Sequence, residues 1–102
     1  MNLGKAIKLC RVQKNMRQSQ LAALAGISVS YLSLLEQGKR DPNFSIIQSI
    51  AKGMDIPVSI IVFLGAEKGE LSGISSELQE KLSFTALNLM NADNNATTTI
   101  SQ

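Results

Sequence analysis

Between Gln18 and Gly38 the chain carries two short apolar segments of helical period, Leu21, Ala22, Leu24 and Ala25, then Leu32 and Leu35. Only Gly26, Ile27 and Ser28 lead from one to the other. Glycine supplies the permissive backbone of a tight turn, and Ser28 suits the capping position of a new helix, so the chain must leave one helix and enter another almost at once. Two short helices joined by a Gly-containing turn form a helix-turn-helix layout, and the rest of the chain has to be read around it.

Upstream, Leu3, Ala6, Ile7 and Cys10 recur on one stripe and predict a first helix over Leu3–Gln13, with Lys5, Lys8 and Arg11 away from that stripe. Gly38 sits where a left-handed residue closes the third helix. Lys39 to Asn43 reads as a loop, because Asp41-Pro42 disfavours helix, and Asn43 can cap a fourth helix that begins at Phe44. Phe44, Ile47, Ile50 and Ala51 form its expected buried stripe, ended by Gly53. A fifth helix is expected from Pro57 to about Leu64. Glu67 to Gly73 reads as a linker, Ser76 with Gln79 as a capping box, and Glu77 to Met90 as a sixth helix with Leu78, Leu82, Ala86 and Leu89 on its apolar side. The polar stretch 91–102, repetitive in Asn and Thr, reads as a frayed tail. No strand alternation appears. The expected organisation is all-α: a domain over residues 1–66, a linker over 67–75, a further helix over 76–90 and a tail over 91–102.

A length of 102 residues suits one compact domain. The longest apolar run, Ile60 to Leu64, is far below the ~20 residues that cross a bilayer, and the N-terminus shows no signal segment, so a cytoplasmic protein without membrane contact is expected. The one cysteine, Cys10, excludes an intramolecular disulfide, and the lack of histidine removes the commonest metal ligand and general base. Neither a catalytic residue, a metal site nor a cofactor is expected. A net charge of +2 conceals an asymmetry: residues 1–53 carry eight basic and two acidic side chains, the remainder two basic and six acidic. A basic half joined to an acidic half suits a protein of which one end meets a polyanion such as DNA; by charge alone a solvated basic face would serve as well.

The run QSQLAALAGISVSYLSLLEQGKR from Gln18 to Arg40 closely resembles the Cro and lambda-repressor-like, or XRE, family of regulators. The similarity extends from about Leu3 to Leu64, through the Asp-Pro turn and the Gly-Met-Asp-Ile-Pro step at residues 53–57. It implies a five-helix lambda-repressor-like DNA-binding domain, here with an additional C-terminal helix, whose third helix enters the major groove.

The resemblance assigns roles residue by residue. Gln18 matches a family Gln that touches the DNA backbone at the start of the second helix, where unpaired N–H groups also favour a phosphate. Relatives place Ser, Thr or Asn just before it; here Arg17 stands there, losing a cap and adding a cation. With Leu32 and Leu35 inward, Val29, Ser30, Ser33, Leu34 and Gln37 are the candidate base readers. Only Gln37 offers the bidentate amide that suits adenine, and no Arg is available for guanine, so affinity is expected to lean on phosphates and DNA shape. Tyr31 reads either as a phosphate contact or as packing at the helix edge. Lys39, Arg40 and Asn43 match a backbone-contacting loop. Arg11 and Glu36 match an ion pair that would tie the third helix to the first, the rival being a phosphate-facing Arg11.

The fifth helix is apolar nearly all round. Ile61 and Leu64 can serve the core, which leaves Ile60, Val62 and Phe63 as an expected homodimer interface unless the sixth helix folds back over them. The partners expected are therefore double-stranded DNA and a second copy, with the C-terminal helix free to hold another protein. The alternatives are an antitoxin or protein-recruiting adaptor on the same fold, or a restriction-modification controller protein. Too little follows the fifth helix for the self-cleaving domain of longer phage repressors, so induction by self-cleavage is not expected, and no activated nucleophile is discernible.

Overall fold

The computed structural model describes residues 1–67, 69–71 and 73–100, the last ten by their backbone alone. Six helices follow in order: α1 Leu3–Gln13, α2 Gln18–Ala25, α3 Val29–Glu36, α4 Phe44–Met54, α5 Val58–Gly65 and α6 Ser76–Ile100. No strand occurs among the described residues.

Local chemistry accounts for most of the boundaries. Asn2 accepts from the Lys5 N–H to open α1, Ser28 from the Tyr31 N–H to open α3, and Asn43 from the Ile46 N–H to open α4. Gly26 closes α2 at φ 71°, with the Ile27 N–H returning to the Ala22 carbonyl. Gly38, at φ 75°, lets the Lys39 N–H return to the Leu34 carbonyl and ends α3.

α2 packs most extensively on α4 and α1 on α5, while α3 lies against α1 and α2. Ile7, Leu21, Leu32, Leu35, Ile50 and Ile61 are fully buried where these helices meet. Burying a side chain of this kind stabilises the fold by about 1.5–3 kcal/mol. The arrangement leaves α3 with one face in the core and the rest of its circumference exposed or half-buried.

Five expectations change. Phe44 is 65% exposed: it stands at the first position of α4, and the buried stripe is Ile47, Ile50, Ala51 and Met54. Gly53 does not stop α4. It lies within the helix where a Cβ would come to 3.1 Å from Leu21 Cδ1 and 3.3 Å from Leu24 Cβ, and Asp55 provides the left-handed cap at φ 57°. The start of α6 is capped by Ser75, whose hydroxyl accepts from the Leu78 N–H, while the buried Gln79 donates instead to the Ala66 carbonyl at 2.7 Å. The side of α6 that docks carries Gln79, Leu87 and Met90, so Leu78, Leu82 and Leu89 face outward. The helix also continues past Met90 to Ile100, since no glycine or proline interrupts residues 91–100; residues 101–102 lie outside the described residues.

Cys10 is fully buried in the core, and burial pushes its thiol pKa up to about 11 from 9.0. The neutral thiol is thus favoured in the folded chain. The stability this represents is intact below pH 9 and is lost between pH 9 and about 11, as the unfolded thiol ionises first. In denaturant titrations across that range, Cys10→Ala should remove roughly 2–3 kcal/mol of the pH-dependent decline. At pH 8, aromatic disulfide reagents should label the native thiol only as fast as the domain opens.

Candidate nucleic-acid interface

α3 presents an outer surface on which Val29, Ser30 and Gln37 are exposed and Ser33 and Leu34 half-buried. Gln37 lies just past the helix as its C-cap. Its amide nitrogen donates to the Ser33 hydroxyl at 2.8 Å, so these two residues form one unit that keeps the Gln37 carbonyl, its second N–H and the serine hydroxyl proton for a ligand. Tyr31 is half-buried and packs against the core.

Exposed cations stand before α2 and after α3. Arg17 precedes α2 with extended backbone. An Arg side chain has no acceptor, so it cannot cap, but the Gln20 carbonyl oxygen accepts the Arg17 backbone N–H at 2.8 Å and orders the turn from the other direction. Lys39 and Arg40 are exposed immediately beyond Gly38. Asn43 has its side-chain carbonyl engaged in the cap of α4, leaving only its amide N–H groups for another partner.

The structure brings Arg11 and Glu36 together. Arg11 Nε donates to Glu36 Oε2 at 2.7 Å and Nη2 to Oε1 at 3.0 Å, and Nη1 donates to the Met16 carbonyl at 2.7 Å. The two side chains are 12% and 2% exposed. Three acceptors are therefore fixed by one guanidinium, which ties α1, the turn before α2 and the end of α3 into one frame. Gln18, half-buried at the start of α2, joins the frame by donating from Nε2 to Glu36 Oε1 at 3.0 Å.

Two supports were not found from the sequence. Gly4, within α1, faces the backbone of α3: a Cβ there would overlap the Leu35 carbonyl oxygen and lie 3.1 Å from its carbon. The available signal was a glycine inside an amphipathic helix, which marks either a weak point or a close approach. Gln13 donates to the Leu87 carbonyl at 3.0 Å and, with Gln79, pins α6 to the domain. Nothing local announces a bond across so much chain. As for the expected dimer residues, Ile60 packs against the core and lines a hollow at the contact of α5 with α6, at whose rim Leu89 stays 58% exposed; Phe63 is half-buried and Val62 is 37% exposed.

A short helix seated on two others, with exposed cations before α2 and after α3, defines the helix-turn-helix class. The chain belongs to the helix-turn-helix family, whose pattern matches residues 7–61. It is 37% identical over 62 residues to the immunity repressor protein of Bacillus phage phi105, covering 61% of this chain and 43% of that one. It is 36% identical over 58 residues to the HTH-type transcriptional regulator DdrOP3 of Deinococcus deserti, covering 57% and 45%. An uncharacterized HTH-type transcriptional regulator of Mycobacterium tuberculosis is 37% identical over 54 residues, covering 53% of this chain and 21% of its own length. The matched stretch thus spans less than half of each of these relatives. Among the described residues no single helix is long and apolar enough to cross a membrane.

Proposed function

We propose that the chain is a sequence-specific cytoplasmic repressor that binds an inverted-repeat operator as a homodimer, with α3 in the major groove. The observation that carries this reading is the exposed surface of α3, with exposed Arg17 in the turn before α2 and exposed Lys39 and Arg40 in the loop after α3. Val29, Ser30, Ser33, Leu34 and Gln37 are the base readers. Arg17, Gln18, Tyr31, Lys39, Arg40 and Asn43 hold the backbone. Val29 can meet a thymine methyl, and the serines can bond to several base edges. With no Arg on this surface, phosphates and DNA shape supply much of the affinity. Replacing Lys39 and Arg40 by Ala should reduce the slope of log affinity against log salt by about one per lost contact and weaken all sequences alike. An unchanged slope would remove this loop from the interface.

The dimer contact is assigned to the apolar surface left open after α6 has docked. Leu78, Leu82 and Leu89 are 46%, 40% and 58% exposed, and with Thr85 they stand four, three and four residues apart. That spacing is the seam of a pair of helices and is complementary to itself, so a second copy is its natural occupant. Val62 and the half-buried Phe63 lend further apolar surface, whereas Ile60 packs against the chain's own core. Two-fold symmetry then sets the α3 helices about 34 Å apart, one turn of DNA. Leu82→Asp should yield a folded monomer with operator affinity lower by on the order of 100-fold. A wild-type chain that is monomeric both free and on DNA, or a variant still dimeric and fully active, would refute the assignment.

A further inference from the structure

The side chain of Gln18 is held before any ligand arrives. Its Nε2 donates to Glu36 Oε1, the oxygen that also receives Arg11 Nη2, while Glu36 Oε2 receives Arg11 Nε. Glu36 is 2% exposed at its side chain, and Arg11 also grips the Met16 carbonyl two residues before Gln18. A primary amide has two flip states of similar shape, one with nitrogen inward and one with oxygen inward. A carboxylate only accepts hydrogen bonds, so beside Glu36 only the first is allowed. A phosphate oxygen likewise only accepts.

We propose that Glu36 is a positioning residue for DNA binding: it selects the Gln18 flip state that spends one N–H on Glu36 and keeps the other for a phosphate oxygen. Arg11 completes the device by fixing both carboxylate oxygens. The inference rests on the reading of Gln18 as a backbone contact and adds to it a source of order. Without Glu36 the amide would turn freely, and its ordering would be charged against binding. The pair at Arg11 and Glu36 then serves two ends, bracing α3 and presenting a neutral donor at the start of α2. The sign of one substitution separates these ends. Glu36→Gln keeps the shape of the side chain and removes a negative charge, which by electrostatics alone would tighten the hold on DNA. Through Gln18 it loosens it, because a neutral amide oxygen holds the Gln18 N–H less strongly than a carboxylate does, and the amide nitrogen in place of Oε2 meets Arg11 Nε donor to donor and displaces the side chain.

The test is a double-mutant cycle on affinity for a random-sequence duplex, read at a temperature where circular dichroism shows every variant folded. Gln18→Ala and Glu36→Gln should each weaken binding by roughly 3- to 10-fold, and Glu36→Gln should have no further effect once Gln18 is Ala. Equal losses from Glu36→Gln in both backgrounds, or tighter binding, would overturn the proposal. So would a Gln18→Ala variant that binds as wild type, although the DNA-binding reading would then stand. A wild-type chain that fails to bind any duplex would sink both. Independently of any variant, the two Nε2 protons of Gln18 can be followed by nuclear magnetic resonance. One should be held in the free protein and stay unchanged on DNA while the other shifts; both moving together would contradict a preset amide.

Discussion

Gly4→Ala should lower the unfolding free energy by about 3 kcal/mol or more, a drop in Tm of at least roughly 12 °C for a domain of this size. The usual expectation has the opposite sign, because alanine in place of glycine within a helix gains up to about 1 kcal/mol. Geometry decides against it. The new methyl group would overlap the Leu35 carbonyl oxygen, and that atom belongs to the α3 backbone, so no rotamer change can give way. Either α1 moves off α3 or α3 shifts as a body. Because α3 carries the candidate base readers, the variant should also lose operator affinity at temperatures where it remains folded. A variant with wild-type Tm, measured by calorimetry, would show that α1 and α3 do not approach as closely as described.

Glu36→Ala should cost about 3–5 kcal/mol, because it leaves the Arg11 guanidinium, 12% exposed, facing a space that held its carboxylate. The size of the loss reflects an orphaned charge rather than the net worth of the pair. Replacing both residues with apolar ones of similar volume should therefore be much milder than either single truncation. Arg11→Ala together with Glu36→Ala should destabilise by clearly less than the sum of the two changes in denaturant unfolding. Simple additivity would mean that the side chains are uncoupled and that α3 is fixed by apolar packing alone.

The two short helices at the centre of the fold were legible because their limits are set by neighbours in sequence. Ser28 and Asn43 cap the residues three positions on, and Gly26 and Gly38 turn the chain where no other residue does so easily. The partners Arg11 and Glu36 were legible only through the family resemblance, since nothing local joins side chains 25 positions apart. α6 was misread for a definite reason. It carries Leu78, Leu82 and Leu89 on one side and Leu87 and Met90 on another, and periodicity cannot say which side docks. Two long-range bonds settle it: Gln79 to the Ala66 carbonyl and Gln13 to the Leu87 carbonyl turn the second side inward. Phe44 was misread because an aromatic residue beside a cap was counted with the stripe that follows it, whereas the first turn of α4 projects past the core.

The reading of α3 as the element that selects DNA sequence is tested most directly by selection. The purified chain is used to enrich random duplexes at physiological salt, and the bound pool is sequenced. The account predicts an approximate inverted repeat with half-site centres about one helical turn apart, and relaxed preference at one or two positions in each half-site for Gln37→Ala. A bound pool no richer in any sequence than the starting library, or a motif that Gln37→Ala and Ser33→Ala leave untouched, would contradict it.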